Sequence, residues 1–120
     1  MPKLVILDDD RMVTLLVKRS LPPAEFEVVA VTDSSQIMPL LEGGPVDLLV
    51  TDLMMPQLDG LEVCRLVRHH PKLKSLKVLV LTAKRLTTEE RKELLDLGVE
   101  IVSKPFVPAA LTEKIRGMLA

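Results

Sequence analysis

The chain is predicted to be an α/β domain: a five-stranded parallel sheet in the order 2-1-3-4-5 with helices on both faces. Three observations predict it. Short Val- and Leu-rich runs alternate five times with longer stretches of helical spacing. Most of these runs lack the apolar–polar alternation of a one-sided sheet, so both faces of their strands are covered. The five units are packed into 120 residues with short connections, which favours this order over the longer six-stranded dinucleotide fold.

The first strand is "KLVIL" (3–7), and in the helix after it Met12, Leu15, Leu16 and Arg19 follow i, i+3, i+4 spacing. "FEVVAV" (26–31) is the second strand. Ser34 is a candidate cap for the second helix, and Pro39 inside that helix implies a bend or a late start. "VDLLVT" (46–51) and "LKVLVL" (76–81), the third and fourth strands, are the clearest of the five. Between them "DGLE" (59–62) sets Glu62 three residues after a capping Asp59. "TTEE" (87–90) repeats that device with Thr87 and Glu90 ahead of the fourth helix, which Gly98 stops. "VEIVS" (99–103) is the fifth strand, and Pro108 suits the first turn of a last helix ending near Met118. The result is a flavodoxin-like (βα)5 unit with no internal repeat, low-complexity tract or linker. Residues 1–120 are expected to form one domain.

Composition excludes several classes of function. Aromatic residues are 2% of the chain, with no Trp or Tyr, so base-stacking platforms are missing and the core must be aliphatic. The formal charge is −1 with both signs scattered, which leaves no basic stripe for direct nucleic-acid contact. One cysteine, Cys64, rules out an internal disulfide framework. The start "MPKLVIL" is too short an apolar run for a signal peptide or membrane span. A cytoplasmic location is the expectation.

In open α/β sheets, ligands bind beyond the carboxyl ends of the strands, at the switch between the first and third. The first strand ends at Asp8 and Asp9, the third at Asp52, the fourth at Thr82 and the fifth at Lys104. The second, which ends in Thr32 and Asp33, stands apart. Clustered carboxylates favour a hard divalent cation such as Mg²⁺. An Asp can attack phosphorus to form an aspartyl-phosphate, whose charge an ammonium, a hydroxyl and a metal would compensate. Polar strand ends are common, and any one of these residues alone is unremarkable. Their arrangement across four strands is a sufficient kit for phosphoryl transfer.

At this point the sequence resembles the receiver domain of bacterial two-component response regulators, over essentially the whole chain. The carriers are "LDDD", "TDLMMPQLDG" around Asp52, "LTAK" and "KPF". The resemblance implies that Asp52 accepts a phosphoryl group from a phosphohistidine on a sensor histidine kinase or phosphotransfer protein. It implies that Asp8, Asp9, Asp52 and the backbone carbonyl of Met54 hold Mg²⁺, with Mn²⁺ as an alternative ion. Thr82 and Lys104 would bind the phosphoryl oxygens, and the bond before Pro105 would be cis. The expected output is a reshaped face of helix four, strand five and helix five, read by a downstream output domain or protein. A phosphorylation-dependent dimer is compatible with it. The chain would act as a phosphoacceptor that assists its own phosphorylation and dephosphorylation, not as an enzyme.

One departure concerns the switch. The family usually has Tyr or Phe three residues before the lysine, and this chain has Ile101; the stretch from Gly98 to Lys104 also looks one residue short. The aromatic part of the switch is therefore expected to be absent, leaving Thr82 and the backbone to carry the signal. Met54 and Lys84, two residues after Asp52 and Thr82, flank the route of an attacking water and are expected to lengthen the phosphoryl lifetime. Two other functions compete: a receiver-fold binding module that uses no phosphate, and a haloacid-dehalogenase-type phosphatase with Asp8 as nucleophile, opening Asp8-x-Asp10. The phosphatase would leave Asp52 without a role.

Other residues read as structural. Asp10 is expected to start the first helix, where its charge is favourable. Asp33 and Asp59 are cap or turn residues. Adjacent His69 and His70 do not share a helix face and make a poor metal pair. Cys64 belongs among core contacts, "RHHPKLK" is a solvated basic helix end, and "EERKELLD" supplies an outer helix face.

Overall fold

In the computed structural model, which describes residues 1–56 and 58–120, five strands alternate with five helices. The strands are β1 (Lys3–Leu7), β2 (Glu27–Val31), β3 (Leu48–Thr51), β4 (Lys77–Thr82) and β5 (Glu100–Ser103). The helices are α1 (Arg11–Ser20), α2 (Ile37–Glu42), α3 (Gly60–His69), α4 (Thr88–Asp96) and α5 (Pro108–Leu119). All pairings are parallel and the sheet order is β2-β1-β3-β4-β5, as predicted.

Burial follows position in the sheet. The middle strands β1, β3 and β4 are buried along almost their whole length, whereas the edge strands β2 and β5 are half exposed. Successive strand residues point to opposite faces, so the sheet carries two core layers. Val5, Leu7, Leu49 and Val80 pack with Ile37 and Leu41 of α2, Val63 and Val67 of α3, and Leu94 of α4. Leu4, Ile6, Val50 and Leu81 pack with Val17 of α1 and with Leu111 and Ile115 of α5. Cys64 is fully buried in the first layer, and burial pushes its thiol up to about 12, so it is unreactive.

Local signals account for most helix ends. Asp10 and Asp59 accept hydrogen bonds from the N–H groups of Met12 and Leu61, capping α1 and α3. Thr87 and Glu90 form the reciprocal capping box of α4. Gly98 adopts a φ of +70° just past α4, a conformation that favours glycine. Pro108 is the first residue of α5. His69 and Arg68 lie in the last turn of α3, where positive charge is favourable.

Three expectations change in detail. Met12, Leu15 and Leu16 mark a helix but not its buried face: Met12 is 70% exposed and both leucines are exposed, while Thr14 and Val17 are buried. Thr14 fits an apolar setting because its hydroxyl donates to the Arg11 carbonyl at 2.9 Å. Asp33, not Ser34, caps the segment before α2. Its carboxylate accepts from the Ser35 N–H at 3.0 Å and opens a 3₁₀ turn, Ser34–Gln36. The helix proper starts late, at Ile37, so Pro39 falls in its first turn, where a missing N–H costs least. Glu62 does not close a box on Asp59; its carboxylate meets Arg65 at 3.2 Å instead.

Helix α4 buries fewer residues than any other helix described. Leu94 is its one buried residue among those described. Arg65 of α3 reaches it with a forked pair to Glu93, at 2.6 and 2.8 Å. Arg68, also on α3, donates to the backbone carbonyls of Leu97 at 2.6 Å and Leu76 at 2.5 Å, tying the loop after α4 to the loop before β4.

Candidate functional site: an acidic pocket at the strand ends

Asp8, Asp52, Thr82 and Lys104 meet because four parallel strands end at the same edge of the sheet. Register places Leu7 beside Thr51, Thr51 beside Val80, and Thr82 beside Ser103. The residues that follow therefore converge above the carboxyl edge. Hydrogen bonds continue the ladder there: the Asp52 N–H donates to the Leu7 carbonyl at 3.1 Å, and the Lys104 N–H to the Thr82 carbonyl at 2.9 Å.

Lys104 is the centre of the charge arrangement. Its Nζ donates to Asp8 Oδ2 at 2.7 Å and to Asp52 Oδ2 at 3.1 Å. Burial opposes the ammonium's charge, but the hydrogen bonds to Asp8 and Asp52 outweigh it and hold its pKa above the ordinary value. Asp8 behaves in the opposite sense. Desolvation pushes its carboxyl up, and the hydrogen bonds from Lys104 and the Asp10 N–H recover only part of that shift.

Asp52 is fixed by its own loop. Its Oδ1 accepts from the Leu53 N–H at 2.7 Å and the Met54 N–H at 3.3 Å, which leaves Oδ2 facing Lys104. Thr51 Oγ1 donates to the Asp52 carbonyl at 2.9 Å. Gly60, at the start of α3, approaches from behind: a Cβ there would stand 1.9 Å from the Asp52 carbonyl oxygen. Its N–H donates to the Leu53 carbonyl at 3.1 Å, closing the loop that carries Asp52. The motif "TDLMMPQLDG" signals this loop, but its close approach is a tertiary fact that spacing does not report. Gln57 of that motif lies outside the described residues.

Asp9 is exposed and completes an acidic trio. Oxygens of Asp8, Asp9 and Asp52 all lie within 4.8 Å of one another. Three carboxylates against one ammonium suit a hard divalent ion with oxygen ligands. The "LDDD" run is thus divided as expected: Asp8 and Asp9 face the pocket, and Asp10 caps α1.

Thr82 is buried, and its Oγ1 accepts from the Lys84 N–H at 3.1 Å, so its own O–H remains available to donate. The Lys84 ammonium pairs with the Glu90 carboxylate of α4. Sequence reasoning found Glu90 as a cap but missed this second role; the signal was a lysine three residues before the capping box. Met54 presents an exposed side chain. The Lys104–Pro105 peptide is cis. Ile101 is half-buried in β5 opposite Val80 and packs against the layer that contains Leu94. His69 and His70 take no part: the ring of His69 meets the Arg65 carbonyl, and His70 Nδ1 accepts from the Lys72 N–H.

Known proteins share this architecture. A family model described as the response regulator receiver domain matches residues 4–116. Response regulator MprA of Mycobacterium sp. (strain KMS) is 37% identical over 118 residues, which are 98% of this chain and 50% of that protein. The chain spans about half the length of the curated relatives it matches. Among solved structures, the chemotaxis response regulator CheY4 of Vibrio cholerae matches with a TM-score of 0.88 at 26% identity, covering 99% of both chains. The Francisella response regulator 1452 receiver domain gives 0.85 at 25% identity, covering 99% of this chain and 97% of that one. Among the described residues no helix is long and apolar enough to cross a membrane.

Proposed function

Because the chain belongs to the response regulator receiver domain family, we propose that Asp52 is its phosphoacceptor and that the donor is a phosphohistidine. The observation that carries this reading is the focus on Asp52 Oδ2. It sits 3.1 Å from the Lys104 ammonium, with Oδ1 tied back to two backbone amides. One oxygen is thus presented and the other is held.

In the reaction, Asp52 Oδ2 attacks phosphorus, a P–O bond forms and the P–N bond to imidazole breaks. The leaving nitrogen keeps the bonding pair and takes up a proton. Lys104 offsets charge on the transferring oxygens, and the Thr82 hydroxyl donates to one of them. Asp8, Asp9, Asp52 and the Met54 carbonyl would hold Mg²⁺, or Mn²⁺, which suits the same oxygen donors. When bound, that ion neutralises charge on the phosphoryl oxygens. The same positioning assists the later attack of water.

Partners follow from the same reading. A sensor histidine kinase or phosphotransfer protein supplies the phosphoryl group in the cytoplasm. The surface of α4, β5 and α5 passes the signal to an output domain or protein. Ile101 transmits without an aromatic ring: a half-buried aliphatic lacks the reach and hydroxyl of Tyr, so Thr82 and its loop carry the change. Of the two residues flanking the water route, Lys84 pairs with Glu90 in the resting chain and Met54 has an exposed side chain, and both can cover the phosphoryl group once it is bound. A Met54→Asn variant should then lose its phosphoryl group faster.

The test is loading by acetyl phosphate with Mg²⁺, read by intact mass and peptide mapping. One phosphoryl group on Asp52, lost in Asp52→Ala, is expected. Equal label on Asp52→Ala would overturn the assignment, and label on Asp8 would favour the phosphatase chemistry. No label on the wild type would leave a binding module of the same fold.

A further inference from the structure

The loop between β4 and α4 carries a connected set of polar contacts that leads out of the site. The Lys84 N–H donates to Thr82 Oγ1 at 3.1 Å, and its ammonium pairs with Glu90 Oε2. Glu90 Oε1 accepts from the Thr87 N–H at 2.9 Å, while the Glu90 N–H donates to Thr87 Oγ1 at 3.1 Å. One carboxylate therefore serves both the loop lysine and the helix cap. The hydrogen bond from Lys84 holds the Glu90 carboxyl below the usual range, with the Thr87 N–H adding to the effect.

We propose that the Lys84–Glu90 pair is a latch, which holds the first turn of α4 in its resting position and is released by phosphorylation. The proposal rests on Asp52 being the phosphoacceptor. Phosphorylation turns the singly charged Asp52 carboxylate into an acyl phosphate with close to two negative charges, beside Thr82, whose hydroxyl already accepts from the Lys84 backbone N–H. The ammonium then has two competing anions, and the doubly charged one is favoured. Glu90 is left without its cation and next to Glu89 in the same turn. Leu94 and the Arg65 fork to Glu93 hold the second turn of α4, so the first turn is the part left least restrained once Glu90 loses its cation. The latch gives this chain a route to α4 that needs no ring at the Ile101 position.

Amide hydrogen exchange at Thr87, Glu90 and Arg91 tests it, measured with Mg²⁺ in the presence and absence of beryllofluoride, a phosphoryl mimic. In the wild type, beryllofluoride should speed exchange by about 2- to 5-fold, the scale of one partly exposed ion pair. Glu90→Gln keeps an acceptor for the Thr87 N–H but removes the charge. It should exchange faster from the outset and respond little to beryllofluoride. Lys84→Met should behave likewise, so a folding defect in one variant does not decide the matter, and Lys84→Arg should restore the wild-type pattern. Wild-type exchange in Glu90→Gln and Lys84→Met, with a full response, would overturn the latch. If Asp52 takes label and these amides do not respond, the latch alone falls. If Asp52 takes none, the latch falls with its trigger.

Discussion

Gly60→Ala is the most demanding test of how the site is held. An added Cβ would lie 1.9 Å from the Asp52 carbonyl oxygen and 2.7 Å from the Leu53 Cα. Ordinary contact begins near 3.4 Å, so the two segments must separate by about 1.5 Å. Both neighbours are backbone, and no side chain can swing aside to absorb the strain. Overpacking of this kind costs about 1–3 kcal/mol. Loss of the bond from the Gly60 N–H to the Leu53 carbonyl adds about 1 kcal/mol, and the better helix propensity of Ala returns about 1 kcal/mol. The net expectation is a loss of about 1–3 kcal/mol, or roughly 3–6 °C in Tm for each kcal/mol at this chain length. Function should suffer more than stability. The displaced atoms belong to Asp52 itself, and misplacement by about 1 Å costs on the order of 10²-fold in rate. Urea melts give the first quantity, and the rate of loading from acetyl phosphate gives the second. Gly117→Ala is the control: nothing lies within 4 Å of its added Cβ, so it should hold or raise stability by about 0.5–1 kcal/mol. A Gly60→Ala protein that melts and loads like the wild type would refute the close approach.

Asp8 predicts a pH effect of definite sign. Its folded pKa lies above its unfolded one, so the folded chain keeps a proton that the unfolded chain releases, and stability is lost as pH rises through that window. Asp8→Asn should gain on the wild type between acid and neutral pH without Mg²⁺, and saturating Mg²⁺ should narrow the gap by stabilising the wild type; parallel urea-melt profiles would contradict this. Arg68→Met should cost about 2–3 kcal/mol, because it strips charge-assisted bonds from the Leu76 and Leu97 carbonyls, yet Asp52 should still take label. Arg68→Lys should recover little of it in thermal melts, since an ammonium cannot reproduce the fork.

Much of the site was legible because its residues end strands. A strand covered on both faces is an apolar run, so the charged residue that ends it stands out, as Asp8 and Asp52 do, whereas Lys104 follows a half-exposed edge strand and stood out only beside the other three strand ends. Capping is similarly local, and Asp10, Asp59 and the Thr87–Glu90 box all follow from short-range chemistry. The misreadings have physical reasons. On α1 the apolar spacing of Met12, Leu15 and Leu16 competed with Val17 and a self-satisfied Thr14, and only packing against the sheet and α5 decides between such faces. Ser34 and Asp33 are both good caps, and the choice depends on where the 3₁₀ turn begins. Gly60 and the second role of Glu90 depend on approaches between elements, which residue types and spacing do not record.

Lys104 and Asp8 are 96 residues apart in the chain, and on the proposed assignment of the site this separation governs when the protein can receive a signal. β1 is synthesised before β5, and the strands and helices between them also precede β5. A growing chain that has not yet laid down β5 has its acidic residues but no ammonium to set them around a phosphoryl group. A fragment clipped ahead of β5 would be equally deaf. On the proposed assignment of Asp52 and Lys104, competence to be charged would thus also report that the sheet is complete, and copies lacking β5 would not draw phosphoryl groups from a donor.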